Sequence, residues 1–429
     1  MMEFLQKLKI SGGVNLSNLR PSRTDSQERT TNFTSPSSPK HDSKEEVSPL
    51  PPRGSPAAKK MKILLVIDSP DTDWAKIFKG RQLHGGVYDV RVEQAQFADL
   101  NLASYSDSGT MVDIQVYREG TVVVRSFRPD FVLVRQSVRG VGPKEDYRNI
   151  LLGLQFGNVP SVNSLTSIYN FAEKPWVFAQ LIQLQKRLGK DEFPLVEQAY
   201  YPNYKEMLIT PKFPVVVKVG HANGGYGKVC VHNHRSFQDI ASIVALTDTY
   251  ATTEPFIAGK CDVRIQKIGT HYRAFKRTSI SDNWKTNTGS AVLEEIAITD
   301  RYKKWVDECS QLFGGGLDIM CVEVIVGKDN KDYIIEVNDT AMRLFSDTQD
   351  EDQRRIADLV IARMEKEYPP TLEPRTATGA ALTGAFTSLK FFSVAGAFKV
   401  IGGPGAPKVS EGATKTEKKK NGLFSGFID

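Results

Sequence analysis

The chain has 429 residues, of which 40% are hydrophobic and 25% are charged, values typical of a soluble globular protein with two or three domains. Its formal net charge of +6 is spread along the whole sequence, so no dense basic patch indicates a nucleic-acid partner, and none is expected. The four cysteines lie far apart, without C-x-x-C spacing, and the first residues lack the apolar core of a signal peptide. Without a run of about 18 apolar residues to span a bilayer, the sequence predicts a cytoplasmic protein.

Residues 1–60 are predicted to be a disordered arm, because Ser, Pro, Thr and charged residues offer little apolar surface to offset the entropy of ordering the chain. The arm contains candidate sites for proline-directed or basophilic protein kinases, and a plain linker is the alternative interpretation. These sites are Ser26, Ser35, Ser38, Ser48 and Ser55. Ahead of them, the segment MEFLQKLKI has apolar residues at helical spacing beside lysines, which fits either an interfacial helix or a frayed terminus.

Residues 61–165 are predicted to form a first ordered domain. Its predicted strands are KILLVID, YDVRVEQA, MVDIQVYR, TVVVRSF and FVLVRQ. A short helix is expected after the first strand, and a longer helix over about residues 143–156. Strands that alternate with helices predict a mainly parallel α/β sheet, into which MVDIQVYR and TVVVRSF are inserted as an antiparallel pair.

Residues 166–368 show a different pattern and are predicted to form a second domain. A long helix, KPWVFAQLIQLQKRL, precedes strand pairs rich in Gly and Lys. A helix around residues 301–313, a hairpin over 318–338 and an amphipathic helix over 350–368 follow. Residues 369–429 are rich in Gly, Ala, Ser and Thr, so a flexible tail is expected there, with phenylalanines resting in a lipid interface as the alternative.

The segment VVVKVGHANGGYGKVCVH places a glycine-rich loop between two β-branched runs, with Lys218 before the loop and Lys228 after it. A strand rather than a helix follows, so neither a P-loop nor a dinucleotide-binding motif fits, and the segment predicts a hairpin. Glycines let backbone N–H groups approach phosphate oxygens, while the lysines supply positive charge. The loop is interpreted as a phosphate-binding lid, with a merely flexible turn as the alternative.

The segment DIMCVEVIVGKDNKDYIIEVND predicts a second hairpin, with a tight turn near Asp329-Asn330. That turn sets Glu323 opposite Glu336 and puts Asn338 on the same sheet face as Glu336. Directly opposed carboxylates destabilise a sheet unless something lies between them. Oxygen ligands of this kind suit Mg²⁺. A divalent cation is therefore the favoured interpretation, and a shared proton or a surface pair is the alternative.

Between the two hairpins lies an apolar segment, TTEPFI. It leaves a predicted strand with Glu254 and the backbone near Ile257 placed to hydrogen-bond an adenine edge. In chain order, a cationic glycine-rich loop, an apolar segment and a hairpin with paired carboxylates describe a nucleotide held between two antiparallel sheets.

Several segments between residues 61 and 368 point to one protein family: PSVNSLTSIYNFAEKPWVFAQL, VVVKVGHANGGYGK, DVRIQKIG, NWKTNTGSAVLE, DRYKKWVDECSQLFGG and KDYIIEV. In these segments the chain resembles the synapsins, which are members of the ATP-grasp superfamily with a core like that of glutathione synthetase. The resemblance implies an α/β protein of the α+β kind: an ATP-grasp fold preceded by a pre-ATP-grasp parallel α/β domain, between a disordered arm and a disordered tail.

The resemblance also implies which residues bind ATP. They are Lys174, Lys218, Gly224, Gly225, Tyr226, Gly227, Lys228, Glu254, Phe256, Ile257, Asp262 and Lys285. Residues 254–257 would hold adenine, Asp262 the ribose, and Lys285, on a mobile loop, the γ-phosphate. A divalent cation, Mg²⁺ or Ca²⁺, would be held by Glu323, Glu336 and Asn338. Arg264 and Arg273 lie where related ligases bind phosphate or a substrate carboxylate.

For function, the resemblance implies a peripheral phosphoprotein on the cytosolic face of presynaptic vesicles, which tethers vesicles to one another and to actin and regulates neurotransmitter release. ATP and a divalent cation would regulate an oligomeric core, a homodimer or tetramer, and no residue is assigned a catalytic role. The alternative is an active ATP-grasp ligase that joins a carboxylate to an amine or thiol through an acyl phosphate. Asn338 restores the Glu-x-Asn pattern that catalytic ATP-grasp ligases use for a second metal contact, so the resemblance leaves the choice of metal open.

Overall fold

The structure is a computed structural model that describes residues 60–118, 121–142, 144–209, 211–281, 283–286, 288, 290–345 and 347–370. The predictions made for residues 1–59, which include the five candidate phosphorylation sites, and for the tail after residue 370 lie outside these residues. The described residues up to Pro369 belong to one compact unit. Within this part of the chain, no helix has both the length and the apolar character needed to cross a membrane.

The first third of the described chain is built mainly from strands. Its elements are β1 (Lys60–Ile67), α1 (Trp74–Ile77), β2 (Gln82–Leu83), β3 (Tyr88–Ala95), a 3₁₀ turn (Phe97–Asp99), β4 (Leu100–Tyr105), β5 (Gly109–Arg118), β6 (Thr121–Phe127), β7 (Phe131–Val134), α2 (Arg148–Phe156) and β8 (Ser161–Val162). One sheet has the order β2-β3-β1-β7-β8, in which all pairs except β2 with β3 are parallel. The strands β4, β5 and β6 form a separate antiparallel sheet, which confirms the predicted insert.

The central strands of the parallel sheet are continuous apolar runs. Residues 64–67 of β1 and all of β7 are buried, as expected where helices and neighbouring layers cover both faces of a sheet. The predicted start of the next helix is wrong, because α2 begins at Arg148. Before it, the N–H of Tyr147 donates to the carbonyl of Val138 and the N–H of Gly140 to that of Glu145, so a turn uses these backbone groups.

The remaining elements form two further antiparallel sheets with their helices. They are α3 (Leu165–Phe171), α4 (Lys174–Leu188), β9 (Ala199–Tyr201), a 3₁₀ helix (Tyr204–Leu208), β10 (Val215–Val219), β11 (Lys228–Val231), α5 (His234–Thr247), β12 (Ala251–Pro255), β13 (Gly259–Ile268), β14 (His271–Ser279), β15 (Ala291–Ile296), α6 (Asp300–Ser310), a 3₁₀ turn (Leu312–Gly314), β16 (Ile319–Gly327), β17 (Asp332–Asn338) and α7 (Gln349–Glu367). The small sheet has the order β11-β10-β12-β9, and the large sheet has the order β15-β14-β13-β16-β17.

Helix α4 has the bounds that its sequence predicts. Pro175 lies in its first turn, basic residues lie in its last turn, and Gly189 follows with a φ of 93°. Its apolar face packs in the same core as Trp305, whose side chain is fully buried and donates from Nε1 to the carbonyl of Glu192. This packing fixes the helix, and with it Lys174 at its first residue, against the large sheet.

Helix α7 covers the parallel sheet. Its buried residues Ile356, Val360 and Met364 share a core with strands β1 and β7. The helix therefore ties the end of the described chain to its beginning.

Candidate functional site

The small sheet supplies two lysines that face each other. Lys218 on β10 is the register partner of Lys228 on β11, so both side chains lie on one face of the sheet. The Nζ of Lys218 is 2.8 Å from Oε2 of Glu254, and the Nζ of Lys228 is 3.2 Å from Oε2 of Glu336 on the large sheet. All four side chains are at most 16% exposed. Two like charges can share this face because each is paired with its own carboxylate.

Between these lysines, residues 220–227 form the glycine-rich loop, whose ends are joined by a hydrogen bond from the N–H of Val219 to the carbonyl of Gly227. Gly227 has a φ of 69°, and a Cβ there would lie 3.0 Å from the carbonyl oxygen of Val219. Only glycine fits that position without strain. The loop is also fastened from across the cleft, since Nζ of Lys285 donates to the carbonyl of Gly225 at 3.1 Å.

The second hairpin has the predicted register. Glu323 on β16 lies opposite Glu336 on β17, and Asn338 lies opposite Cys321, with a bulge after Glu323. Asn330 adopts a φ of 63° in the tight turn, as a residue with a short polar side chain does readily.

The two opposed carboxylates are both paired with basic side chains. Glu336 is paired with both Lys174 and Lys228. Glu323 accepts a hydrogen bond from Nε of Arg264 at 2.7 Å, and Arg277 lies 4.0 Å from its other oxygen. The sequence predicted the opposed carboxylates but not their basic partners, because it does not show which basic residues the fold brings to this face.

The charges at this end of the cleft perturb one another's pKa values. Burial alone would raise the pKa of Glu336, but Lys174, Lys228 and Lys218 outweigh it and hold that pKa well below its usual range. The carboxylate of Glu336 raises the pKa of Lys228 against the effect of burial. Burial lowers the pKa of Lys174, although Glu336 opposes the shift. The lysines and Glu336 therefore act as one electrostatic group.

The carboxylate hairpin has donors that suit a divalent cation. Glu323, Glu336 and Asn338 offer only oxygen ligands of the kind that Mg²⁺ and Ca²⁺ prefer. Within the described residues, no group of three or more His, Cys, Asp and Glu side chains forms a complete metal site. These three side chains thus fit an ion that takes its other ligands from phosphate and water.

Part of the cleft lining is aromatic. The ring of Phe256 meets the ring of Trp284 edge to face, with centroids 6.0 Å apart, and the N–H of Phe256 donates to the carbonyl of Pro214. Asp262 accepts a hydrogen bond from the hydroxyl of Thr286, and burial raises the pKa of its carboxyl. The segment expected to hold adenine and ribose is thereby in contact with the loop that carries Lys285.

One cavity of about 960 Å³ lies between the two antiparallel sheets, and every residue predicted to bind ATP or metal lines it except Gly227. Arg264 also lines this cavity. Arg273 does not, because its guanidinium is turned toward Glu295, Glu351 and Asp352.

Sequence reasoning missed several residues that line the cavity. They are Arg139, His221, Arg277 and Trp284. His221 and Trp284 belong to segments that the sequence singled out, the glycine-rich loop and NWKTNTGS, so their position in those segments was a usable signal. Arg139 comes from the first domain, and no local pattern connects it to the cleft.

His221 is expected to make stability depend on pH. Burial, together with the charges of Lys174 and Arg139, lowers its pKa from 6.5 to about 4, so the folded chain holds the ring neutral where the unfolded chain protonates it. Stability is therefore lost as the pH falls from 6.5 toward about 4. Urea unfolding at pH 7.5 and 5 should show that His221→Asn loses less stability than the wild type, by about 1 kcal/mol after allowance for partial exposure. Equal losses in both proteins would contradict this assignment.

Two antiparallel sheets that enclose a cavity lined with lysines and paired carboxylates, next to a parallel α/β domain, define an ATP-grasp protein. Comparison with known families agrees with this class. Residues 57–161 match the family model described as the synapsin pre-ATP-grasp domain, and residues 163–366 match the one described as the synapsin ATP-binding domain. The chain belongs to the synapsin family.

Among known proteins, the chain is similar to Synapsin of Drosophila melanogaster, with 51% identity over 313 residues. The match covers 72% of this chain but only 30% of the fly protein. Among solved structures, it is similar to the ATP-grasp ligase PsnB in complex with a precursor variant, Mg and ADP, at 15% identity and a TM-score of 0.49 over 71% of this chain and 99% of that one. The VanG D-Ala:D-Ser ligase of Enterococcus faecalis gives 12% identity and a TM-score of 0.47 over 71% and 99%.

Proposed function

We propose that the cavity between the small and large sheets binds ATP, with its phosphates at the end where Lys174, Lys218 and Lys228 converge. The observation that carries this proposal is a set of three partly buried lysines on separate elements, Lys174, Lys218 and Lys228, which all line one cavity. Buried charges cost free energy, and a fold that keeps this many in one place gains most when a polyanion binds there. The match to a family model described as an ATP-binding domain supports the same assignment.

In this proposal, Glu323, Glu336 and Asn338 hold a divalent cation beside the phosphates. The ion, Mg²⁺ or Ca²⁺, would neutralise phosphate charge and fix the position of the triphosphate. Lys285 contributes the lid, because the loop that carries it already contacts the glycine-rich loop at Gly225.

At the level of the cell, we propose that the protein acts as a peripheral protein of synaptic vesicles, which tethers them to one another and to actin and is regulated by kinases. The support is the family and the 51% identity to a synapsin. ATP and the divalent cation would act on a homodimeric or tetrameric core through the cleft. Since the match covers only 30% of the fly protein, these partners are inferred from the shared part alone.

Calorimetry with ATP and Mg²⁺ tests the nucleotide site. We expect saturable binding by the wild type, and binding about tenfold weaker in Lys285→Ala, because the lid loses its charge. Lys304→Ala is the control, since Lys304 is 47% exposed on α6, paired with Glu192 outside the cavity, and should not alter affinity. If the wild type does not bind ATP at millimolar concentration, the nucleotide site is ruled out and the protein is a scaffold whose cavity no longer binds nucleotide.

The ligase alternative has its own test. ADP release that requires both an added carboxylate and an added amine would establish that alternative.

A further inference from the structure

We propose that nucleotide gates the metal site, because Lys174 and Lys228 act as internal counter-ions that mask Glu336 until phosphates draw them away. This inference rests on the proposed ATP site and adds an order of events to it. Both oxygens of Glu336 accept hydrogen bonds from lysines, Oε1 from Lys174 and Oε2 from Lys228. A divalent ion that approaches Glu336 therefore meets two ammonium groups.

The two carboxylates of the hairpin are held in different ways. Glu323 is fastened by Arg264, which also donates from Nη1 to the carbonyl of Arg343 at 2.8 Å and lies 4.5 Å over the ring of Phe345. These contacts with backbone and ring give Arg264 reasons to stay in place whether or not a ligand is present. In this proposal, Glu323 is a metal ligand whose position is fixed by its ion pair with Arg264.

In contrast, the two lysines that pair with Glu336 can exchange this carboxylate for another anion. Among the described residues, Nζ of Lys174 and Nζ of Lys228 make no hydrogen bond or ion pair with any acceptor other than Glu336. Both side chains line the cavity, so a triphosphate there offers them several anionic oxygens in place of one carboxylate. When they move to phosphate, Glu336 regains two free oxygens opposite Glu323. The fixed ligand and the released ligand then form the site together.

The consequence is coupling between the two ligands. A site that is masked by lysines has low affinity for a free divalent ion, and nucleotide raises that affinity by removing the mask. Because coupling free energies are reciprocal, the ion must raise nucleotide affinity by the same factor. Removing one masking charge should therefore create metal affinity where the wild type has little, even though the substitution removes a residue of the nucleotide site.

The test is a titration of the full chain with Mn²⁺ in the absence of nucleotide, with the free ion measured by electron paramagnetic resonance. We expect Lys228→Met to bind Mn²⁺ at least about tenfold more tightly than the wild type, because Met has similar length and no charge. The double variant Lys228→Met/Glu336→Gln should lose that gain. Lys267→Met is the matched control, since Lys267 is 14% exposed and paired with Asp307 outside the cavity.

Unchanged Mn²⁺ affinity in Lys228→Met, or an equal rise in Lys267→Met, would overturn the inference. If Lys228→Met fails to fold by circular dichroism, Lys174→Met exposes the other oxygen of Glu336 and gives the same readout. Calorimetry of the wild type with ATP separates the two proposals. Failure to bind ATP would sink the nucleotide site, whereas intact ATP binding with no gain in Mn²⁺ affinity would sink only the gating.

Discussion

Glu336→Ala is expected to abolish the effect of divalent ions on ATP binding and to lower the free energy of unfolding by about 3 kcal/mol. The carboxylate is 16% exposed and is paired with Lys174 and Lys228, so its removal leaves two ammonium groups close together without a counter-ion. The substitution also removes the metal ligand that, in our proposal, becomes available when the two lysines move to phosphate. Calorimetry with ATP, with and without Mg²⁺, measures the first effect, and urea unfolding measures the second.

Glu294→Ala is the matched control for Glu336→Ala. Glu294 is 60% exposed on the edge strand β15 and is paired with Lys276, which is 41% exposed. A surface pair of this kind should contribute less than about 1 kcal/mol, and its loss should leave ATP binding unchanged. A Glu336→Ala protein as stable as the control, with normal Mg²⁺ dependence, would rule out the charge cluster as the centre of the site.

Lys218→Met is expected to weaken ATP binding about 100-fold, which corresponds to about 2.7 kcal/mol. Lys218 is 13% exposed, so its charge acts on a phosphate with little screening by water. The substitution should also cost stability, because Gln198 is then the only side chain in the described part of the chain that donates a hydrogen bond to Glu254, which is 8% exposed. Calorimetry gives the affinity, and urea unfolding gives the stability.

Lys267→Met separates these two effects. It removes a lysine of similar burial, 14% exposed, whose partner Asp307 is 40% exposed, and the pair lies outside the cavity. We expect it to lose stability without losing affinity for ATP. If Lys218→Met and Lys267→Met weaken ATP binding equally, the loss reflects destabilisation of the fold, and Lys218 has no direct contact with the nucleotide.

The elements of the fold and much of the site were predictable from sequence because their signals are local. Continuous apolar runs predicted β1 and β7, and the pattern of the run KPWVFAQLIQLQKRL predicted α4. The register that sets Glu323 against Glu336 followed from a period of two and a tight turn at Asp329-Asn330. In each case, residues close in sequence determine the geometry.

The partners of the charged groups were decided by the tertiary structure. The sequence shows that Lys218, Lys228, Glu254 and Glu336 exist but not how they pair. The pairing of β10 with β12 brings Glu254 to Lys218, and the packing of the small sheet over the large one brings Glu336 to Lys228. Packing likewise brings Arg139 from the first domain into the cleft and turns Arg273 out of it. Side-chain periodicity places a residue on a face of its own element, whereas contact between elements depends on how distant segments pack, which no local pattern records.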